Sequence, residues 1–136
     1  MDRTRVFITG ATGFAGRHLM NALAPPDFAV YGASFPQPAH PSEKNICLLD
    51  LRSERDVFGV VKSVLPQWIF HLAAVSNVKH SWERPKETME TNIMGTFHLF
   101  EAVKKFVPAA RILYVSSSDI YGFVSGEERS GEKAFT

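Results

Sequence analysis

Three glycines near the start of the chain have the spacing of a phosphate-binding turn. Gly10, Gly13 and Gly16 follow a short apolar run, Arg5–Thr9, and precede a segment with helical spacing of apolar residues. In such a turn the first glycine permits the bend, the second lets phosphates approach the backbone and the third lets the helix pack on the sheet. The spacing therefore predicts a dinucleotide site here, against the alternative of an ordinary turn rich in glycine.

A second group of polar residues could act on a carbonyl. Ser116, Ser117 and Ser118 directly follow another strand-like run, Arg111–Val115. A hydroxyl beside a substrate carbonyl can donate a hydrogen bond as negative charge develops on the oxygen. Taken alone, three serines after a strand can also form a polar turn.

The elements that must position these residues alternate along the chain. Five strands are predicted at Arg5–Thr9, Phe28–Ala33, Asn45–Leu49, Trp68–Leu72 and Arg111–Val115. Helices are expected between them, one capped by Ser53 and a longer one from Pro85 to Phe106. The apolar residues spaced along the longer helix are Met89, Ile93, Phe97, Phe100 and Val103. The alternation predicts an α/β fold, with a doubly wound parallel sheet whose ligands bind at the carboxyl ends of the strands.

The overall composition argues against several classes of protein. The 136 residues suit one domain, and 45% are hydrophobic and 21% charged, as in ordinary globular proteins. The net charge of +1 argues against broad nucleic-acid binding, and no apolar run is long enough for a membrane span. The single cysteine, Cys47, suits a reducing compartment. We therefore expect a cytoplasmic protein without a signal peptide or a metal site.

Further motifs occur in the order and spacing of one enzyme family. After Gly-x-x-Gly-x-x-Gly come Asp50–Leu51, His71-Leu72-Ala73-Ala74, Asn92-Ile93-Met94-Gly95-Thr96 and Ser116-Ser117-Ser118-Asp119-Ile120-Tyr121-Gly122. Over nearly its whole length the chain resembles the extended short-chain dehydrogenases/reductases, which include nucleotide-sugar epimerases, dehydratases and reductases. The resemblance implies a Rossmann-type sheet, an NAD(P) cofactor and a nucleotide-sugar substrate.

The resemblance also implies which residues contact the cofactor. Asp50 is expected to accept a hydrogen bond from the adenine amino group, and the Leu51 amide to face the ring. The small side chains of Ala73 and Ala74 suit close approach of the ribose and nicotinamide, and Asn92 is expected to bridge helix and sheet. His71 is expected to pack within its strand. The full predicted set is Gly10, Thr12, Gly13, Phe14, Gly16, Ser34, Asp50, Leu51, Leu72, Ala73, Ala74, Asn92 and Val115.

Cofactor choice depends on the end of the second predicted strand. Enzymes that use NAD carry an Asp or Glu about 20 residues after the glycines, which binds the ribose 2′-hydroxyl. This chain has Ser34 there, so no carboxylate repels a 2′-phosphate, although no Arg stands there to bind one. We expect NADP, with NAD as the alternative.

For the chemistry, the resemblance implies that Ser117, four residues before Tyr121, is the catalytic hydroxyl. Asp119 lies where dehydratases place their elimination acid, although Asp is one methylene shorter than the usual Glu. Ser76 and Ser118 are expected to face the substrate together with Ser117. Tyr114, Ser118 and Tyr121 are expected to support the site.

The stretch from His71 to Thr96 is most similar to reductases of GDP-linked 4-keto-6-deoxy-mannose, and next to GDP-mannose 4,6-dehydratases. The expected activity is NADP-linked reduction at C4, with a dehydratase or epimerase as alternatives and a non-catalytic NAD(P)-sensing domain as an alternative of another class. The family's Tyr-x-x-x-Lys pair is absent from this sequence. We therefore expect residues 1–136 to be an incomplete dinucleotide-binding domain, inactive alone, of a longer enzyme that forms a homodimer through the helix starting near Pro85.

Overall fold

Five parallel strands form the frame of the part of the chain that the structure describes. The structure is a computed structural model, and it describes residues 3–23, 26–36 and 45–117. The strands are β1 (Thr4–Thr9), β2 (Phe28–Ser34), β3 (Ile46–Leu48), β4 (Trp68–His71) and β5 (Arg111–Tyr114). They lie in the order β3-β2-β1-β4-β5, and every neighbouring pair is parallel. The carboxyl ends of all five strands therefore meet at one edge of the sheet, as the α/β prediction required.

Helices connect the strands and cover both faces of the sheet. They are α1 (Phe14–Ala22), α2 (Glu54–Val64), α3 (Val78–Glu83), α4 (Pro85–Met89) and α5 (Gly95–Phe106). A π-helical turn, Glu90–Met94, joins α4 to α5. No helix in the described part of the chain is long and apolar enough to cross a membrane.

The core has two layers because successive side chains of a strand point to opposite faces. Phe7 points to one face, where it packs in a cluster of residues from α2 and α5. Val6 and Ile8 point to the other face and pack with Ala11 and Val30, against apolar residues of α1. Both layers pack against β1, the central strand, and so support the glycine turn that follows it.

Local signals explain where α2 begins and ends. The Ser53 hydroxyl accepts a hydrogen bond from the Asp56 amide at 3.4 Å, as the capping sequence predicted. At the other end Leu65 takes a left-handed conformation with φ 48°, and the buried Pro66 follows. The chain then enters β4 directly, so this loop fixes where β4 starts.

The structure corrects the prediction for the long helix. The segment from Pro85 to Phe106 is helical throughout but contains the π turn. Four of the five spaced apolar residues used to predict it are exposed, namely Met89, Ile93, Phe97 and Phe100. The buried face is formed instead by Gly95, Leu99, Ala102 and Val103. The sequence also gave no expectation of α3, a six-residue helix capped by Asn77, whose side chain accepts from the His80 amide at 2.9 Å.

Candidate functional site

The glycine turn has the geometry that its three glycines predict. Gly10 has φ +71°, a conformation that favours glycine, and a Cβ there would lie 2.9 Å from the Ala73 amide nitrogen. Gly16 is buried, and its Cβ would lie 2.8 Å from the Ala11 backbone, so it lets α1 pack on the turn. Gly13, the N-cap of α1, is exposed, and among the described residues beyond its chain neighbours the nearest atom to its Cβ would be the Gly10 carbonyl oxygen, at 3.2 Å. Gly13, Phe14 and Ala15 are all exposed, so an anion can approach the start of α1.

Hydrogen bonds hold this turn against the neighbouring strand. The Ala11 amide donates to the Ala33 carbonyl and the Gly13 amide to the Gly10 carbonyl, both at 3.0 Å. Arg17 Nε donates to the Thr12 carbonyl at 2.9 Å. Phe14 projects from the start of α1 and is 85% exposed. The turn is therefore held by hydrogen bonds and followed by an exposed aromatic side chain.

At the end of β2, Ser34 is buried and the residues after it are exposed. Ser34 is only 3% exposed, whereas Phe35 is 48% exposed and Pro36 is also at the surface. The Arg52 guanidinium lies over the Phe35 ring, with its carbon 5.4 Å from the ring centroid. Phe35 rather than Ser34 therefore forms the surface that a ribose at this strand end would meet.

Asp50 follows β3 and pairs with Arg52, a residue that sequence reasoning missed. Arg52 Nε lies 2.9 and 3.0 Å from the two carboxylate oxygens of Asp50, and Arg52 Nη2 lies 2.6 Å from one of them. This hydrogen bonding lowers the pKa of the Asp50 carboxyl. Asp50 therefore remains ionised, with its charge balanced locally. The sequence did offer a signal for this pair, because a basic residue, Arg52, lies two positions after Asp50.

Leu51 lies buried between the site and α5. It is 5% exposed, and its carbonyl accepts a hydrogen bond from His98 Nδ1 at 3.0 Å. A Cβ on Gly95 would lie only 2.8 Å from the Leu51 Cβ, so Leu51 occupies the space that a side chain at position 95 would need. The glycine of the Asn92–Thr96 motif thus makes room for the residue after Asp50.

The segment after β4 is tied to both β1 and the π turn. The Ala73 amide donates to Thr9 Oγ1 at 3.2 Å, and the Leu72 amide to the Thr9 carbonyl at 3.3 Å. Asn92 Oδ1 accepts from the Val75 amide at 2.8 Å, and its Nδ2 donates to the Val75 carbonyl at 3.0 Å. Asn92 therefore bridges helix and sheet, as expected. Ala74 and Ser76, also in this segment, are exposed.

The serine segment follows β5 at the same edge. The Val115 amide donates to the His71 carbonyl at 3.2 Å, which places Val115 beside the end of β4. Ser116 and Ser117 come next and are exposed. The other predicted residues of this motif, Ser118, Asp119, Tyr121 and Gly122, lie outside the described residues.

The order of the strands brings the segments that contain the predicted site residues to one edge of the sheet. Since β1, β4 and β5 are neighbours, the glycine turn, Ala73–Ala74 and Ser117 all lie at the carboxyl edge. Residues 50 and 51 lie at the same edge, beyond β2. Among residues 3–23, 26–36 and 45–117, no group of His, Cys, Asp or Glu could hold a metal ion.

Two proteins of known activity have sequences similar to this chain. The GDP-6-deoxy-D-mannose reductase of Pseudomonas aeruginosa is 34% identical over 121 residues, which cover 89% of this chain and 36% of the reductase. The CDP-glucose 4,6-dehydratase of Salmonella typhimurium is 34% identical over 126 residues, covering 86% of this chain and 35% of the dehydratase. The chain thus spans about a third of the length of these relatives.

Solved structures share the fold. The Thermus thermophilus UDP-glucose 4-epimerase in complex with NAD has a TM-score of 0.81 at 28% identity, covering 94% of this chain and 42% of the epimerase. The dTDP-4-dehydrorhamnose reductase of Bacillus anthracis, in complex with NADP, has a TM-score of 0.69 at 28% identity, covering 85% of this chain and 37% of the reductase. The profile of the NAD dependent epimerase/dehydratase family matches residues 6–135. This chain belongs to that family.

Proposed function

We propose that the full-length protein containing this chain reduces the C4 keto group of a GDP-linked 4-keto-6-deoxyhexose with NADPH. The proposed reduction is supported above all by one observation: the glycine turn, Ala73–Ala74 and Ser117 lie at the same edge of the sheet. The choice of sugar is supported by similarity to the Pseudomonas reductase. Because the chain spans a third of that relative, the proposal concerns the full-length protein.

The residues at this edge fit a dinucleotide. The exposed start of α1 after the glycine turn would receive the diphosphate, and Asp50 with Leu51 would receive the adenine. Ala73 and Ala74 would leave room for the ribose and nicotinamide, since their side chains are small. When bound, the cofactor supplies the hydride for reduction.

Ser117 would polarise the substrate carbonyl. Its hydroxyl would donate a hydrogen bond to the carbonyl oxygen, where negative charge develops as the carbon is reduced. The resemblance implies that the proton comes from the tyrosine of a Tyr-x-x-x-Lys pair, a pair that this sequence does not contain. In the full-length enzyme Ser117→Ala should lower kcat by about 10²–10³, the usual effect of losing one such donor. The control is Ser116→Ala. An equal loss of kcat in this control would mean that the Ser117 hydroxyl is not the specific donor to the carbonyl.

The preference for NADP is supported by charge at the end of β2. Ser34, Phe35 and Pro36 carry no carboxylate, and the Asp50 charge is balanced by Arg52. Phe35→Asp should therefore weaken NADPH binding far more than NADH binding, because it sets an exposed carboxylate against the 2′-phosphate. Phe35→Leu is the control. We place the acid at position 35 because Ser34 is buried. Equal losses for both cofactors would remove the support for NADP.

One assay separates this activity from the alternatives. The full-length protein is incubated with GDP-mannose, or with its 4-keto-6-deoxy product and NADPH. Oxidation of NADPH with the keto sugar indicates the reductase, whereas loss of water from GDP-mannose without net use of cofactor indicates a dehydratase. Similarity to the CDP-glucose 4,6-dehydratase keeps that second outcome open, also for other nucleotides. Cofactor binding with no turnover of any nucleotide sugar would indicate a non-catalytic NAD(P)-sensing domain.

A further inference from the structure

A buried histidine beneath the site takes no part in the reaction just described. His71, the last residue of β4, is 1% exposed. Its Nδ1 lies 2.6 Å from Thr9 Oγ1, at the end of β1, and its Nε2 lies 2.9 Å from Thr96 Oγ1, on α5. Both ring nitrogens are therefore paired, although they face two different elements.

The partners of the two hydroxyls fix the direction of every hydrogen bond. Thr96 Oγ1 donates its one proton to the Asn92 carbonyl at 2.7 Å, so it can only accept from the ring. His71 Nε2 therefore carries the proton. In the neutral ring Nδ1 is then an acceptor, and it receives the Thr9 hydroxyl proton. The Thr9 oxygen in turn accepts from the Ala73 amide.

This chain of hydrogen bonds ends on three segments of the site. Thr9 directly precedes Gly10 and holds the Ala73 amide. Thr96 bonds to the Asn92 backbone, while the Asn92 side chain holds both polar backbone groups of Val75. The His71 ring also stacks on Tyr114, with centroids 5.4 Å apart, three residues before Ser117. The described structure thus connects the glycine turn, the segment after β4 and the serine segment through one ring.

We propose that His71 is a positioning residue of the cofactor site, which holds the Ala73–Val75 segment against the glycine turn as a neutral ring protonated at Nε2. This inference rests on the proposed nucleotide site. In a doubly protonated His71 ring, Nδ1 would also be a donor, and it would face the Thr9 hydroxyl proton. The hydrogen bonds described above therefore require the neutral ring. Burial, which lowers the pKa of His71 to about 4, favours the same form.

The tautomer can be tested without any cofactor. Nitrogen-15 NMR of the ring in the full-length protein distinguishes a protonated nitrogen from an unprotonated one. We expect the His71 signals of the neutral Nε2–H form, unchanged from pH 8 to pH 5.5, with assignment by loss of the signals in His71→Gln. A ring protonated at Nδ1, or a charged ring in this range, would overturn the proposal.

The positioning role is tested on Thr96. Thr96→Val keeps the shape of the side chain but removes the hydroxyl, whereas Thr96→Ser keeps the hydroxyl. We expect the dissociation constant for NADPH to rise about tenfold in Thr96→Val, the size of effect that one hydrogen bond commonly has, and to be restored in Thr96→Ser. Thr91→Val is the matched control, because Thr91 is half-buried in the same helical segment and its hydroxyl has no hydrogen bond within the described residues.

The thermal midpoint of each variant separates positioning from general stability. Binding is measured well below the midpoint, so that each variant is folded. An unchanged dissociation constant in a folded Thr96→Val protein would show that the hydrogen bonds matter only for stability and would overturn the positioning role. If the unmodified protein itself binds neither NADPH nor NADH, the proposed function fails, and the NMR result still decides the tautomer.

Discussion

At the scale of single residues, burial of His71 links the stability of the fold to pH. The pKa of His71 is about 4 in the folded protein, against 6.5 for an ordinary histidine, because burial disfavours the charged ring. Between these values the unfolded chain binds one proton more than the folded chain. The contribution of His71 is therefore complete above pH 6.5 and is lost as the pH falls toward 4. Within the described part of the chain, the titratable side chain in contact with the ring is Tyr114, which stacks on it.

We predict the size of this effect from the difference between the two pKa values. From pH 7 to pH 4.5 the free energy of unfolding should fall by ~2–3 kcal/mol more in the unmodified protein than in His71→Gln. Chemical unfolding of both proteins at the two pH values measures this difference. Carboxylates such as Asp50, whose pKa is also lowered, contribute equally to both proteins and cancel. Parallel losses in the two proteins would mean that His71 is charged in the fold.

The glycine turn offers a second prediction, because its glycines differ in what surrounds them. Gly13→Ala should leave the fold intact, since its backbone has φ −71° and the nearest atom to the added Cβ lies at 3.2 Å. It should nevertheless weaken NADPH binding, because the Cβ enters the space where phosphates approach. Gly16→Ala is the matched control and should lower the thermal midpoint, because its Cβ would overlap the Ala11 backbone. Unchanged NADPH affinity in Gly13→Ala would argue against a diphosphate at this turn.

At the scale of elements, Gly95 controls how closely α5 approaches the loop after β3. Gly95→Ala should destabilise the protein by ~1–3 kcal/mol, the usual effect of overpacking, because its Cβ would lie 2.8 Å from the Leu51 Cβ. Gly59→Ala on α2 is the control. No atom of the described residues beyond its own helix lies within 4 Å of its Cβ, so the change should stabilise α2 by ~0.5–1 kcal/mol. Thermal unfolding distinguishes the two, and a neutral Gly95→Ala would mean that Leu51 can move aside.

The sequence predicted the elements well where one physical signal dominated. Short apolar runs marked all five strands, with bounds that the structure changes by at most one residue at each end. The glycine turn was predicted correctly because a positive φ and two close approaches each require a missing side chain.

The rest could not be predicted because several competing patterns fit the same residues. Apolar residues occur on both sides of the segment from Pro85 to Phe106, and periodicity alone cannot tell the face that meets the sheet from the other face. The π turn, with its extra residue per turn, carries no such pattern. The pairing of Asp50 with Arg52 and the bonds of His71 depend on side-chain positions that only the folded chain brings together.

At the scale of the whole molecule, the chain presents a broad apolar surface at one end of the sheet. On the helix it includes Ile93, Phe97 and Phe100, which are 57%, 52% and 39% exposed. Phe100 packs edge-on against Tyr114 of β5, at 6.2 Å between ring centroids. A helix that covers a sheet needs only one apolar stripe, and α5 has a second one facing outward. A second stripe of this kind favours a further partner.

We therefore predict that the full-length protein is a dimer in which this outward stripe packs against its symmetry mate. Leu99 and Phe106, which lie on the same helix, are unsuitable positions for a disrupting charge. Leu99 is fully buried, and Phe106 packs edge-on against Phe58 with 5.7 Å between ring centroids. Phe97→Glu should dissociate the dimer, because it buries an unpaired charge at the contact.

Light scattering at micromolar concentration tests this prediction, with Arg55→Glu on the exposed surface of α2 as the control for a new charge. We expect the unmodified protein and the control to have twice the mass of one chain, and Phe97→Glu to have the mass of one chain with an unchanged circular dichroism spectrum. Leu99→Glu should instead unfold, because its side chain lies in the core between sheet and helix. A monomeric unmodified protein would mean that the rest of its own chain covers the stripe. In that case Phe97→Glu should lower the thermal midpoint rather than change the mass.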